Sequence, residues 1–236
     1  SSTLTNSGKI ENKNSADNNS ILLIGDNNTV TLKDSGLVIG TIGASSGTSG
    51  NKLKIQHGIG QSYYYKTSGD FDLEDLDGNQ IVKGSAGSVG QGGSETLDEL
   101  LSYKTINLRN FFDSYTNSNF YNNEGGWGEV YASNLNRDQN ASSKGLEFEL
   151  INIGANIIYP TKNSNFVMAF EGGIQDFTKD YKINYQSLHG GIFTKENQNF
   201  FDLDTFLITG VTLKDSERKI LTNTTSSGTL ITDGNF

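Results

Sequence analysis

The sequence predicts an all-β protein interrupted by one amphipathic helix, and three observations carry that prediction. Gly, Asn, Ser and Thr dominate the 236 residues and are joined by β-branched and aromatic side chains, the composition of turns and strands. Residues 1–70 hold very short apolar runs broken by Asn/Gly corners, and the chain from residue 126 holds much longer segments that alternate with period two. A single stretch, residues 94–116, changes to helical spacing. The chain has no cysteine and one proline, so it can form neither a disulfide nor a thiolate metal site. Eighteen Lys+Arg stand against 27 Asp+Glu, a net charge of −9, which argues against nucleic acid and other polyanions as partners. No apolar run, the longest being Ile21–Ile24 and Ile157–Tyr159, approaches the roughly 18 to 20 residues of a spanning helix. Spanning β-strands alternate and stay compatible with such low hydropathy.

Residues 1–70 read as the end of a β-solenoid. TLTNSG at 3–8 recurs as TLKDSG at 31–36, and strands are expected at 20–24, 29–33, 37–42 and 52–56. Each is short and followed by a tight corner, which suits rungs that bury few side chains before turning. The inward set is expected to be Leu22, Ile24, Val30, Leu32, Val38, Leu53 and Ile55. The edge of an ordinary β-sandwich is the other reading.

Residues 71–93 read as a hairpin followed by a Gly/Ser-rich linker. Asp77-Gly78 lies between 71–76 and 80–82 as a turn signal, with its acidic neighbours on a solvated face. A calcium loop fails on spacing, because Leu73 occupies the position of a required ligand. Tyr63, Tyr64 and Tyr65 must alternate faces on a strand and are expected to pack at the solenoid end.

The helix opens with Thr96 and Glu99 as a capping box, and Leu97, Leu100, Leu101, Lys104, Leu108, Phe111, Phe112 and Tyr115 follow at helical spacing. The opposite face carries Ser102, Thr105, Asn107, Asn110 and Asp113 and must meet water or a polar cavity.

From residue 126 to 236 come long alternating segments at 126–135, 145–160, 165–177, 182–195 and 204–215. One face of the second and third is apolar, with Ile151, Ile153, Ile157, Phe166, Met168 and Phe170, and the other is polar or small, with Asn152, Asn156, Glu171 and Gln175. Trp127, Tyr131, Tyr159, Phe166, Phe177 and Tyr181 lie towards strand ends, as an interfacial aromatic girdle would. A soluble antiparallel sheet with one wet face also fits.

The order of these parts, a solenoid end, the linker SAGSVGQGG, the helix SETLDELLSYKTINLRNFF, then GGWGEVYAS and long alternating strands, resembles the junction of passenger and translocator in bacterial autotransporters of type V secretion. The resemblance spans essentially the whole chain and rests most on the helix followed by Gly125–Tyr131, which looks like the first strand of that family's barrel. It implies the first strands of an antiparallel outer-membrane β-barrel of about twelve strands, incomplete here, with the passenger displayed at the cell surface. It further implies self-export through a pore threaded by the linker helix, contact with outer-membrane lipid, and assembly by the barrel-assembly machinery. Leu97, Leu101, Leu108, Phe111 and Phe112 then belong to the pore helix. Asn152, Asn156, Glu171 and Gln175 become lumen-facing, and Ile151, Ile153, Ile157, Phe166, Met168 and Phe170 become lipid-facing. The strands fall short of closure, so further strands are expected beyond Phe236, and an export signal upstream of Ser1.

No enzyme is expected. Gly43-Ala44-Ser45-Ser46-Gly47 matches a nucleophile elbow but runs on into loop sequence, and His57 and His189, the only histidines, are far apart. No catalytic, cofactor-binding or metal-binding residue is assigned, and Asn107, Asn110 and Asp113 are read as pore-wetting rather than cleaving groups. Nothing in the sequence identifies a ligand for the passenger. The competing reading is a soluble β-rich surface adhesin or surface-layer module with no barrel.

Overall fold

A computed structural model describes residues 1–13, 18–89, 97–118, 125–138, 147–161, 164–177, 179, 181–197 and 202–235. Its first part is a β-solenoid of about three turns. One face stacks β1 (Thr3–Asn6), β4 (Thr29–Lys33), β7 (Lys52–Gln56) and β10 (Asp72–Asp75) in parallel. A second pairs β2 (Lys9–Glu11) with β5 (Leu37–Ile39), and a third stacks β3 (Asn19–Leu23), β6 (Thr41–Ala44) and β9 (Thr67–Ser68). Strand β8 (Tyr63–Tyr65) and the antiparallel β11 (Ala86–Ser88) finish this part.

The corners are held by asparagine. Asn28 lies 26 residues after Ser2 and accepts its amide at 2.8 Å. Asn51, 23 residues further on, accepts the amide of Asn28 at 2.9 Å. The same carboxamide answers a backbone donor that a buried corner would otherwise leave unpaired, turn after turn. The repeat seen in the sequence is met with an offset. The rungs pair Leu4 with Val30 and Asn6 with Leu32, so the two TL copies sit out of register. After the corner Lys9 pairs Leu37, which brings the two Ser-Gly copies together.

Of the expected inward residues, Val30, Leu32, Val38, Leu53 and Ile55 are buried in one cluster with Tyr63 and Tyr65. Leu22 and Ile24 are not. They are 49% and 79% exposed, and Ile21 (7%) points inward in their place. A register irregularity between Asn19 and Ile21 shifts the strand by one residue, and a one-residue shift exchanges its faces. The expected 37–42 strand is divided at Gly40, whose φ of 113° favours glycine and turns the chain between faces.

The hairpin expected at Asp77-Gly78 is not formed. Residues 72–75 pair in parallel with 52–55 as a fourth rung. The acidic side chains divide: Asp70, Asp72 and Glu74 are exposed, as expected, whereas Asp75 and Asp77 are used in the turn. Asp75 accepts from Asn79 N–H (3.0 Å) and from the Tyr63 hydroxyl (2.8 Å), and Asp77 accepts from the Gly58 amide (2.6 Å). As expected of alternating neighbours, Tyr63 and Tyr65 are buried and Tyr64 is exposed.

The second part is an antiparallel sheet in the order β12 (Trp127–Arg137), β13 (Phe148–Pro160), β14 (Asn165–Phe177), β15 (Tyr181–Asn197), β16 (Asp202–Thr222), with β17 (Thr229–Asn235) on β16. Among the described residues no pairing joins β12 to β16 or β17, so the sheet is open.

Helix α1 (Leu97–Thr116) lies against the inner face. Thr96 of the expected capping box, and the side chain of Leu97, lie outside the described residues. Near its start Leu100 packs with Phe148, Leu150, Phe177, Ile183 and Tyr185. Near its end Phe111, Phe112 and Tyr115 pack with Ile158, Val167 and Phe193, Leu108 adding to them. Leu101, expected on the packed stripe, is exposed, because positions 100, 104, 108, 111 and 115 form the line that meets the sheet.

His57 is 3% exposed; its Nδ1–H donates to the Asp34 carbonyl and its Nε2 accepts the Tyr65 hydroxyl, both at 2.7 Å. Burial holds its pKa below the ordinary 6.5. Its stabilising contribution is therefore complete above pH 6.5 and is lost as the pH falls through the lowered folded value. Thermal unfolding of the solenoid should come at progressively lower temperature from pH 7 to pH 5, and His57→Gln should flatten that slope. A second outcome concerns the corners: Asn51→Ala leaves the buried Asn28 amide unpaired and should cost about 1 to 3 kcal/mol in a denaturant titration.

Candidate functional site

The space between α1 and the sheet is apolar at both ends and polar in the middle. Cross-strand registers place Tyr131, Gly154, Glu171 and Ser187 in one row on the inner face, next to Ser133, Asn152, Gly173 and Tyr185. The helix brings Tyr103 and Lys104 to the same level. The Lys104 ammonium lies 3.2 Å from Glu171 Oε1, donates to Ser187 Oγ at 2.8 Å, and sits 5.0 Å from the centre of the Tyr185 ring. Glu171 also accepts from the Tyr131 hydroxyl at 2.8 Å. Ser187 continues to Thr212 at 2.9 Å, and Tyr103, Ser133 and Asn152 form a second linked group beside them.

Two glycines make this row possible. A Cβ on Gly154 would collide with the Tyr131 ring, and one on Gly173 with the Tyr185 ring. Each tyrosine lies across the glycine that faces it on the neighbouring strand, and its hydroxyl reaches the centre of the row.

The side chains of Lys104 and Glu171 are 11% and 5% exposed. Removing such a pair from water costs about as much as its attraction returns, so its value lies in position. One helical turn away from Lys104 stand Leu100 and Leu108. A helix slipped by a turn would set an aliphatic side chain against the Glu171 carboxylate, so the pair fixes where α1 stops along the sheet. Lys104 was visible in the sequence only as a cation on an otherwise apolar helical stripe. Its partner on a strand far along the chain had no local signal.

The residues singled out from the sequence divide cleanly between the two faces. Asn152, Asn156, Glu171 and Gln175 are buried beneath α1. Ile151, Ile153, Ile157, Phe166, Met168 and Phe170 are exposed on the opposite face. The aromatic girdle is not formed by the six residues expected. Tyr159 and Phe166 are on the outer face, whereas Trp127, Tyr131, Phe177 and Tyr181 share the parity of the inner one and pack towards the helix or its ends. Strand parity, not distance from a strand end, decides which face an aromatic serves.

The outer face is built in rows. Tyr159, Phe166, Ile192 and Leu207 form one, Val130, Ala155, Phe170, Leu188 and Val211 another, and Ala132, Ile153, Gly172, Gln186 and Leu213 the next. Further towards the solenoid the row Asn136, Glu149, Asp176, Lys182 and Glu217 is charged. Among the described residues no group of three or more His, Cys, Asp or Glu side chains is placed to hold a metal ion. Asn110 and Asp113 are exposed on the free face of α1, and Asn107 is half-buried.

No protein-family model, curated protein or solved structure matches this chain.

The buried pair makes a direct test. Lys104→Met strands the Glu171 carboxylate and should cost about 3 to 5 kcal/mol. The double change Lys104→Met with Glu171→Gln should restore most of it, giving a large coupling energy in a double-mutant cycle of thermal unfolding.

Proposed function

We propose that this chain is the passenger–translocator junction of an autotransporter, with β12–β17 seated in a bacterial outer membrane, α1 lying in the lumen, and the solenoid held outside. The observation that carries the reading is the outer face of the sheet. The row from Val130 to Val211 is apolar across five strands and the next, Ala132 to Leu213, is broken only by Gln186. Polar Asn134, Asn184 and Asp215 then flank Ile151 and Ile174, and beyond them lies the charged row of Glu149, Asp176, Lys182 and Glu217. From Ile151 to Tyr159 the chain advances about 26 Å at ~3.3 Å per residue. At the usual tilt that is about 20 Å of membrane depth, close to the ~25 Å apolar band of outer-membrane barrels. An apolar area this large calls for a nonaqueous neighbour.

Two further features support it. The polar belt under α1 is the side a lumen would present, and the helix is polar on its far face apart from Leu101 and Ile106. The strand connections at the end away from the solenoid, 161–164 and 198–201, are short, and the Thr161 amide closes the first by donating to the Ser164 carbonyl at 2.8 Å. At the solenoid end 138–147 spans ten residues whereas 178–180 spans three, so one long connection, and not a general asymmetry, marks that end.

The absence of native cysteine makes the test clean. Single cysteines at Phe170 or Leu188 and at Glu149 or Glu217, each carrying an environment-sensitive fluorophore, are compared after refolding into phospholipid vesicles. The first two should be blue-shifted and quenched by brominated acyl chains, and the second two by aqueous iodide. Equal iodide quenching at all four positions would favour a soluble surface module.

A further inference from the structure

On two faces of the solenoid, successive turns pair directly with each other: β4 with β7, and β6 with β9. The face that holds β5 is different. β5 pairs with β2 on one side, and β8, its counterpart in the next turn, pairs elsewhere. The place between them is filled by the end of β16. Leu221 and Thr222 pair in parallel with Tyr63 and Tyr64, and the Leu221 amide donates to the Ser62 carbonyl at 3.0 Å. Leu221 packs against the solenoid core.

Asn223 then completes the corner. Its carbonyl accepts from Gly40 N–H at 2.9 Å, and its carboxamide donates to the Gly40 and Lys66 carbonyls at 2.9 and 2.8 Å. The carboxamide oxygen accepts the Lys66 amide at 2.7 Å. Asn223 is 1% and Thr222 2% exposed. Without this segment, buried backbone groups at Gly40, Ser62 and Lys66 would lose partners, which a folded chain does not tolerate cheaply. The arrangement is strand addition with an asparagine as its specific anchor, the occupant coming from the same chain.

We propose that Leu221–Asn223 is a clasp that keeps the solenoid on the sheet independently of the covalent link between Val89 and Leu97. If the peptide chain is cut in that link, the N-terminal piece stays bound. A second polar contact between the two parts, Lys179 Nζ to the His57 carbonyl at 3.2 Å, is a single bond, with Ile59 resting beside Phe177 and Tyr181. This inference does not depend on the membrane reading, since it concerns how the two parts hold each other in any solvent.

The test inserts a protease recognition sequence between Val89 and Leu97 in the full chain, cuts it, and follows the N-terminal piece by size-exclusion chromatography. In the otherwise unaltered protein the piece should co-elute with the remainder. Asn223→Ala should weaken its retention on the order of a hundredfold, and Lys179→Ala should change it little. Release from the unaltered protein, retention unchanged by Asn223→Ala, or equal release by Lys179→Ala would each overturn the clasp. Hydrogen exchange before cutting guards against a trivial loss of fold. Asn223→Ala should expose the Lys66 amide, whose acceptor it removes, and leave Val30 and Leu53 protected. Should it expose those as well, the comparison passes to Asn223→Asp, which keeps the acceptor for Lys66 N–H and loses both donated bonds, and is expected to release the piece in the same way.

Discussion

The two faces of a β-strand cannot be chosen independently, and the structure depends on that constraint. Once Gly154 is opposite Tyr131 and Glu171 opposite Ser187, every second residue from Trp127 to Arg218 is committed to the helix side and the rest to the outside. Polar residues fall together under α1, where they pair with Tyr103 and Lys104. Aliphatic and aromatic residues fall together on the outer face, where within the described structure nothing covers them. The same ladder that aligns the belt lays out the apolar rows.

Within this frame α1 is a fitted part. Its ends are held by aromatic packing, including Phe112 stacked on Phe193 at 4.7 Å, which is strong but indifferent to small slips along the axis. The Lys104–Glu171 contact is energetically modest and positionally strict. Packing sets how firmly the helix is held and the ion pair sets where. The solenoid divides its labour in a similar way, with Val30, Leu32 and Leu53 supplying burial and Asn28, Asn51 and Asn223 supplying corner geometry.

Much of this was legible in the sequence because it is periodic. Strands 29–33 and 52–56, the helix, and the split of residues 148–177 between two faces all follow from patterns that neighbouring residues enforce on one another. Failures came where one residue breaks a period. The irregularity at Asn19–Ile21 reversed Leu22 and Ile24, and Gly40 divided one expected strand into two. Asp77-Gly78 carries the chemistry of a hairpin turn, yet β10 found a better partner in β7, already stacked beneath it. Contacts between distant segments had no local signal. Nothing local joins Glu171 to Lys104, and nothing in the Thr/Ser-rich run around Asn223 marks that residue out.

The length of β16 has a mechanical meaning. Its far end is part of the solenoid, and its body is bonded to β15 from Tyr181↔Arg218 to Asn197↔Asp202. A pull applied at Leu221–Asn223 along the axis of β16 loads those bonds together in shear instead of opening them one after another as in a zipper. The same strand therefore yields less easily to a pull along its own axis than to one across it.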